Sequence, residues 1–304
     1  MYKKSSLLSI KVITPLHAGG GNNLSIIDLP IQREVQSNYP KIEASTLKGC
    51  VRNAFEKNLK VNIENSMIDI IFGCEDQNNM TASASAFSDA RILFFPVRSV
   101  KGVFAYVTCP YVLKRFSNDI KLINNTIRLP NFADLKPEKC YIPKEDSSVT
   151  FSSGKTVMLD EYAFDACKNQ ELSDFIESMT RFLPIIEEDL SQFKNRVVVI
   201  SDDDFVDFVT NATEVITRIK IDNETGIVED KQLFNEEYMP AESILYSLVF
   251  VSDEHKSGNI FKSAEDIKDS FKQTMPDYIQ IGANMTLGKG FVKCKLNWDG
   301  DTDE

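Results

Sequence analysis

The chain has 304 residues, of which 42% are hydrophobic and 26% charged, and this composition is ordinary for one large globular domain or two modest ones. No apolar run approaches the roughly 20 residues that cross a bilayer, which argues against a transmembrane protein. The net charge of −11 argues, taken alone, against nucleic-acid binding, because phosphate contacts are normally made by an excess of lysine and arginine.

The charge is unevenly distributed along the chain. Residues 1–60 hold nine Lys or Arg against four Asp or Glu, whereas residues 201–240 hold three against eleven. An acidic protein with concentrated basic segments can still line a basic groove. The alternative is that these charged faces are only solvated.

The cysteines and histidines show no metal-binding pattern. Six cysteines are scattered without C-x-x-C spacing, and the two histidines, His17 and His255, lie far apart in the sequence. This argues against a zinc site and a disulfide framework, and it predicts mostly buried free thiols.

The first half of the chain alternates strands and helices. MYKKSSLLSIKVIT has strand-like alternation, which predicts a first strand rather than a signal peptide and hence a cytoplasmic protein. Apolar residues at helical spacing after Ser45 or Thr46 as N-cap predict a helix over residues 46–59. ARILFFPVRS and GVFAYVTC predict two strands, and PYVLKRFSND predicts a helix opening at its proline. Residues 120–155, polar and proline-containing, predict an insertion outside the core sheet.

The second half of the chain also alternates predicted helices and strands. ELSDFIESMTRFL and DDDFVDFVT predict helices on either side of the strand NRVVVIS, and TRIKIDNETGIVEDKQLF predicts a β-hairpin turning at Gly226. SILYSLVFVS predicts a buried strand, AEDIKDSFKQT a helix, and IQIGANMTLGKGFVKCKL a glycine loop running into a last strand. The order β-α-β-β-α-β predicts an α+β fold with a ferredoxin-like core and large insertions, as a single domain over residues 1–304.

Two glycine-rich stretches need a separate explanation. GGGNN does not fit G-x-G-x-x-G, and in GANMTLGKG the residue after Lys289 is neither Ser nor Thr, so the P-loop pattern fails. The common nucleotide-binding enzymes are therefore disfavoured. Each stretch is either a tight turn or a loop whose backbone N–H groups approach a phosphate, with Lys289 adding charge.

Several motifs, in order, resemble one family. PLHAGGGN, IDLPIQRE and PKIEASTLKGCVRNAF resemble the N-terminal signature of the repeat-associated mysterious protein (RAMP) superfamily. SAFSDARILFFPVRSVKGVFAYVTCPYVLKRF resembles more closely the backbone subunits of the type III-B CRISPR (Cmr) RNA-guided effector complex. RIKIDNETGIVEDKQLFNEEYMPAESILY and IGANMTLGKGFVKCKL match later signatures. Residues 120–195 are covered least.

The resemblance implies a function. Such subunits form a filament of RNA-recognition-motif-like modules along a guide (CRISPR) RNA, together with other Cmr subunits and without a membrane. A thumb hairpin, expected at about residues 200–235 with 120–155 as a rival, kinks the guide–target duplex. Target RNA is then cut beside each kink, with a loosely bound divalent metal (Mg or Mn) required.

The same resemblance assigns site residues. The catalytic residue and metal ligand would be Asp28, with His17, Glu236 and Tyr238 as further catalytic residues and Glu237 as a near alternative to Glu236. The RNA-binding residues would be Gly19, Gly20, Gly21, Ser45, Lys48, Arg52, Gly288, Lys289 and Gly290. Lys48 and Arg52 lie four apart on one helix face, which suits adjacent phosphates but is also common on merely solvated faces.

These residue types suit RNA cleavage. RNA can be cut by its own 2′-hydroxyl, so positioning supplies much of the rate. Asp28 could accept the hydroxyl proton or hold a metal, and His17 is the better general acid or base by its reference pKa near 6.5. One loop aspartate is too few for a two-metal site, which predicts a single loosely held metal and modest turnover.

Two alternatives stay open on the sequence. One is a structural backbone subunit that binds guide RNA while another component cuts. The other is an enzyme or binding domain unrelated to CRISPR, which the acidic charge favours. Whether the purified protein carries RNA would separate the last from the first two.

Overall fold

A computed structural model describes residues 2–21, 27–58, 64–74, 80–145, 147–151, 154–221, 228–255 and 260–299. Its helices are α1 Ala44–Glu56, α2 Asn65–Phe72, α3 Pro110–Asp119, α4 Gln170–Thr180, α5 Glu187–Lys194, α6 Asp202–Asn211 and α7 Ala264–Thr274, with 3-10 turns at Ile120–Ile123 and Met285–Leu287. Its strands are β1 Lys4–Val12, β2 Lys41–Ile42, β3 Ser85–Phe87, β4 Ala90–Arg98, β5 Phe104–Thr108, β6 Lys139–Ile142, β7 Thr150–Phe151, β8 Thr156–Leu159, β9 Tyr162–Lys168, β10 Val197–Val199, β11 Glu214–Ile221, β12 Val228–Tyr238, β13 Ile244–Val251, β14 Tyr278–Gln280 and β15 Phe291–Trp298.

One large, mostly antiparallel sheet organises the molecule. Its order is β14-β15-β1-β13-β4-β5-β10-β6-β9-β8-β7, with β2 on β4 and β3 on β13. The first half of β4 pairs with β13 and its second half with β5, so this strand joins the two halves of the sheet. Strands β11 and β12 form a separate antiparallel pair.

The core lies where helices cover the central strands. β1 and β13 are buried along almost their whole length, and α7 packs against both. An aromatic cluster ties three helices together, because the Phe55 ring of α1 lies 5.1 Å from that of Phe72 in α2 and 5.2 Å from that of Phe271 in α7. Edge-to-face pairs of this kind add to the free energy gained by burying the rings.

Most predicted elements are confirmed, including α1, α3, α4, α6, α7 and strands β1, β4, β5, β10, β13 and β15. The antiparallel pairing of β11 with β12 is confirmed as well, and the predicted turn at Gly226 lies outside the described residues. Helix α2, helix α5 and strands β6 to β9 were not predicted. The described part of the chain has no helix long and apolar enough to cross a membrane.

Two local predictions differ from the structure. Helix α1 has Glu43, not Ser45 or Thr46, as its N-cap, because side chains from elsewhere supply the capping: Gln32 accepts from the Glu43 N–H at 2.7 Å, and Asp89 accepts from the Ala44 N–H at 2.9 Å.

Residues 120–155, predicted as an insertion outside the core sheet, contribute two short strands to the large sheet: β6 pairs with β10 and β9 and buries Cys140 and Ile142, and β7 pairs with β8. A four-residue strand is too short to display clear alternation. All six cysteines are free, but only Cys109, Cys140 and Cys294 are fully buried.

Candidate active site

Four chain segments meet beside the end of β12. They are residues 15–21 after β1, residues 27–33, the last residues of β12, and residues 282–290 before β15. Isolated bridges join the first three: Leu16–Met239 and Gly19–Ile31 are antiparallel and Leu29–Glu236 is parallel. The fourth is attached because the Ala283 N–H donates to the His17 carbonyl at 2.9 Å. Residues distant in sequence are thus brought together by the backbone itself.

The carboxylate of Glu236 is the centre of this site. Its Oε2 accepts from the Tyr238 hydroxyl at 2.5 Å and from Arg218 Nε at 3.2 Å. Its Oε1 accepts from Asn284 Nδ2 at 2.7 Å and lies 3.8 Å from His17 Nε2. Glu236 and Tyr238 share one face of β12 because side chains two residues apart on a strand point the same way. These five residues are called the Glu236 cluster below.

The Tyr238 hydroxyl, like the Glu236 carboxylate, makes several hydrogen bonds in the cluster. Its hydroxyl accepts from Arg218 Nη2 at 2.6 Å and from Asn284 Nδ2 at 2.8 Å while donating to Glu236. Asn284 therefore uses both amide hydrogens inside the cluster, from a backbone position with φ of 62° that asparagine tolerates better than most residues.

Arg218 and Asn284 were missed by the sequence reasoning. Once the register of β11 and β12 is known, Ile216 opposes Glu236 and places Arg218 on the diagonal, so the pairing could have found it. No pattern in the sequence indicates Asn284, because its contacts depend on how the glycine loop folds.

The cluster stabilises the anionic form of Glu236. Burial by itself would raise the pKa of this carboxyl, but the hydrogen bonds from Tyr238 and Asn284, the electrostatic interaction with His17 and the bond from Arg218 together hold the pKa below its usual value. Burial and the bond to Glu236 raise the pKa of Tyr238. Glu236 is therefore suited to orienting its neighbours rather than to taking up a proton.

His17 presents one ring nitrogen to the cluster. Its buried Nδ1 lies 2.6 Å from the carbonyl oxygen of Glu237, and since a carbonyl only accepts, Nδ1 carries a hydrogen. In the neutral ring Nε2 is then an acceptor. A Cβ at Gly19 would lie 3.0 Å from Nε2, so glycine there keeps space beside this nitrogen.

Asp28 lies next to the cluster on the segment that pairs with β12. Its carboxylate is exposed, and Oδ2 accepts from the Asn235 backbone N–H at 2.7 Å. A carboxylate offers about four acceptor positions, so this one bond fixes the side chain while leaving others for a ligand. Residues 22–26, immediately upstream, lie outside the described part of the chain.

Glu237, the predicted alternative to Glu236, faces the other side of β12. Its carboxylate is bonded to Ile31, Arg33 and Thr213, and no bond between its side chain and the Glu236 cluster is found among the described residues. The two adjacent glutamates thus have separate environments.

The glycine loop packs directly on the His17 backbone. Gly282 has φ of 84°, and a Cβ there would overlap the His17 carbonyl oxygen, so only glycine fits. Lys289 places its Nζ 4.9 Å from the centre of the Tyr238 ring, next to the cluster. Gly288 has open space around its Cα, and the Gly290 N–H donates to Pro15 at 3.0 Å.

Comparison with known proteins identifies the family of this chain. A model of the RAMP superfamily matches residues 9–293, a range that contains every predicted site residue. The chain belongs to the RAMP superfamily.

Two curated relatives match this RAMP chain over almost its whole length. The CRISPR system Cmr endoribonuclease Cmr4 of Pyrococcus furiosus is 36% identical, over 96% of each chain. The CRISPR system CMR subunit Cmr4 of Saccharolobus solfataricus is 27% identical, also over 96% of each. The crystal structure of oligomeric Cmr4 from Pyrococcus furiosus superposes with a TM-score of 0.75 at 30% identity, covering 98% of this chain and 99% of the other.

The predicted RNA-binding face of this RAMP chain on α1 is occupied by internal contacts. Lys48 Nζ donates to Ser83 Oγ at 2.7 Å and to the Ser85 carbonyl at 3.2 Å, and its pKa is lowered by burial and by neighbouring Arg52. Arg52 bonds to Glu56 at 2.8 Å and to Asp69 at 2.9 Å.

Some of the other predicted RNA-binding positions are more accessible, whereas Gly290 is buried and Lys289 is partly exposed. Ser45 is exposed in the first turn of α1. Gly20 and Gly21 lie in the loop beside the cluster, where the Gly20 N–H donates to the Pro30 carbonyl at 2.8 Å and Gly21 is exposed. Gly21 is the last described residue before the gap at 22–26.

A metal would have few protein ligands here. In the described ranges no three His, Cys, Asp or Glu side chains are grouped so as to hold an ion. The exposed carboxylate of Asp28 fits Mg²⁺ all the same, because this ion commonly keeps several waters and binds one or two carboxylates together with substrate phosphates.

Proposed function

We propose that this chain is a backbone subunit of a type III-B (Cmr) effector complex and that it cleaves target RNA paired to a guide RNA, with Asp28 as the catalytic residue. The observation that supports the proposal is the pairing of the Asp28 segment with β12, because Leu29 bridges Glu236 and the exposed Asp28 carboxylate accepts from the Asn235 backbone N–H. The full-length similarity to a protein named as the Cmr endoribonuclease supports the same reaction.

The proposed chemistry uses the substrate's own nucleophile. Cleavage requires the 2′-oxygen to lie in line with the scissile phosphorus. The hydrogen-bonded Glu236 cluster would form a fixed surface that orients the ribose for this attack. His17 Nε2 is the ring nitrogen available for proton transfer, because Nδ1 is engaged by the Glu237 carbonyl. Glu236 and Tyr238 fix the cluster rather than exchange protons with the substrate, since their polar atoms are already bonded.

Asp28 has two compatible roles. Its carboxylate can accept the 2′-hydroxyl proton, or it can hold a loosely bound Mg²⁺ or Mn²⁺. Such an ion would stabilise the charge that develops on the phosphate oxygens.

The assembly is proposed on the same basis. Further copies of this chain would form a filament along the guide RNA with other Cmr subunits, as the oligomeric state of the Pyrococcus furiosus relative suggests. The chain would act as a single domain in the cytoplasm, and the β11–β12 pair would be the thumb hairpin that reaches the guide–target duplex. A ferredoxin-like core is supported by the order β15-β1-β13-β4, with α1 and α7 as the two connecting helices.

The test is cleavage of target RNA by the assembled complex carrying Asp28→Asn or Asp28→Ala. Asparagine keeps an oxygen that can accept from the Asn235 N–H, so it removes the charge and leaves the anchor. We expect both variants to lose cutting by about 10²-fold or more in Mg²⁺ or Mn²⁺ while binding guide and target normally. Asp134→Asn, a change at an exposed aspartate of the 120–155 segment, is the control.

Unchanged cutting by both Asp28 variants would move the chemistry to another subunit and leave this chain as a guide-binding scaffold. Failure of the wild-type protein to assemble with guide RNA would contradict the proposal as a whole.

A further inference from the structure

The carboxylate of Glu237 is buried and fully engaged. The side chain is 2% exposed, and its Oε1 accepts from Arg33 Nη2 at 2.5 Å and from Thr213 Oγ1 at 2.9 Å. Its Oε2 accepts from the Ile31 backbone N–H at 3.0 Å. A buried charge is tolerated when it is paired and hydrogen-bonded in this way, and removing one partner is costly.

Arg33 extends this contact to a third element. Its Nη1 donates to the carbonyl of Asn38 at 2.9 Å and to that of Val209 at 3.0 Å. Val209 lies in the last turns of α6, and Thr213 stands immediately before β11. Glu237, Arg33 and Thr213, called the Glu237 clasp below, therefore join β12, the junction of α6 with β11, and the segment that carries Asp28.

The position of Asp28 depends on the same strand. On one side, the Leu29 N–H donates to Asn235 at 3.1 Å and the Glu237 N–H donates to Leu29 at 3.0 Å. The Asp28 carboxylate is bonded to the Asn235 N–H. The clasp holds the next part of this segment at Ile31 and Arg33, so the chain just after Asp28 is fixed to β12 first by the backbone bonds of Leu29 and then by a buried ion pair.

We propose that the Glu237 clasp is a positioning device that sets Asp28 relative to the Glu236 cluster and links its placement to the β11–β12 pair. This inference rests on the proposed function. If β11–β12 contacts the guide–target duplex, movement of this strand pair also moves Asp28, because Glu237 connects the two. Cleavage would then depend on binding of the duplex by β11–β12. Glu237 itself touches no reacting atom, because it faces away from the cluster.

The experiment compares cleavage by complexes carrying Glu237→Gln, Thr213→Val and Thr213→Ser. Glutamine replaces an acceptor by an NH₂ that faces donors, and valine removes the hydroxyl at nearly constant volume. We expect the maximal cleavage rate to fall about tenfold for Glu237→Gln and about threefold for Thr213→Val, with the target concentration at half-maximal rate unchanged, because a misplacement near 1 Å is enough for such losses. Thr213→Ser, which keeps the hydroxyl, should restore the rate.

The matched control is Glu34→Gln. Glu34 is also buried and paired with an arginine, since Arg115 Nη1 lies 2.7 and 2.9 Å from its two oxygens, but it has no contact with β12 among the described residues. We expect this variant to lower the melting temperature as much as Glu237→Gln does and to leave the cleavage rate unchanged.

Three outcomes would overturn the inference. Equal losses of rate in Glu34→Gln and Glu237→Gln would reduce the clasp to a stability element. Normal cleavage rates in both Glu237→Gln and Thr213→Val would contradict the positioning role of the clasp without contradicting the proposed function. Absence of cleavage by the wild-type complex would remove both. Should Glu237→Gln fail to fold, the two Thr213 variants still decide the matter.

Discussion

The Glu236 cluster and the basic face of α1 both carry residues expected to meet RNA, but the fold uses them differently. In the cluster, groups from four segments converge and bond to one another next to the exposed Asp28. On α1, Lys48 is bonded to Ser83 and Ser85 and Arg52 to Glu56 and Asp69, so most of their N–H donors are already engaged inside the protein.

This difference separates two kinds of charged site. A preorganised cluster needs no rearrangement during the reaction, and it increases the rate by holding groups in fixed positions. A cation already paired inside the protein stabilises the fold. The free energy that it gains by binding a phosphate is reduced by any internal contact that it gives up. We therefore expect substitutions in the cluster to affect the cleavage rate and those on α1 to affect binding weakly.

Among the substitutions that compare these two regions, the largest effect is expected for Glu236→Gln. Glutamine cannot accept all the bonds from Tyr238, Arg218 and Asn284, and it removes the negative charge facing His17. The maximal cleavage rate at saturating target should fall by about 10²-fold with guide binding retained. Single-turnover cleavage measures the rate, and a loss confined to target affinity would contradict the preorganised role of the cluster.

Asn284→Gly should come next. Glycine removes the amide that bonds Glu236 and Tyr238 yet accepts the positive φ of this position without strain, so backbone effects are minimised. We expect an approximately tenfold fall in cleavage rate. A wild-type rate would show that Arg218 alone is sufficient to hold the pair.

Lys48→Met should have a smaller effect, on guide RNA binding. If Lys48 contacts one phosphate, the slope of log affinity against log salt should decrease by about 1, with roughly fivefold weaker binding. Lys114→Met, at an exposed lysine of α3, provides the comparison. An identical slope in the two variants would leave Lys48 with only its internal contacts to Ser83 and Ser85.

The smallest effect should be on acid stability. Because the pKa of Glu236 is lowered in the folded chain, its contribution is present above the ordinary glutamate pKa and is lost as the pH falls. The melting temperature of Glu236→Gln should therefore decline less steeply than that of wild type between about pH 5 and pH 3. Parallel curves would mean that other carboxylates govern this range.

The fold was largely predictable where apolar periodicity is long. Helices α1, α4 and α7 and strands β1, β4 and β13 each carry enough residues for their period to be unambiguous. Strand β6 has four residues and lies among prolines, so its place in the sheet depends on neighbours that the local sequence does not specify.

The candidate site was predictable only in part. His17, Asp28, Glu236 and Tyr238 were identified through the family resemblance, since nothing in their local patterns distinguishes them from turn or core residues. Arg218 and Asn284 are defined by contacts between β11, β12 and the glycine loop, which are set by the tertiary fold.

The close contact between Gly282 and the backbone of His17 has a consequence for genetic screens. Any side chain at position 282 displaces the His17 carbonyl and with it the ring that faces Glu236. A saturation scan scored by immunity against an invading RNA would rank Gly282 with the residues that bear chemical groups, although it contributes none. Loss of immunity on substitution of Gly282 would therefore report how closely the glycine loop must pack against the His17 loop, and not a chemical role of residue 282.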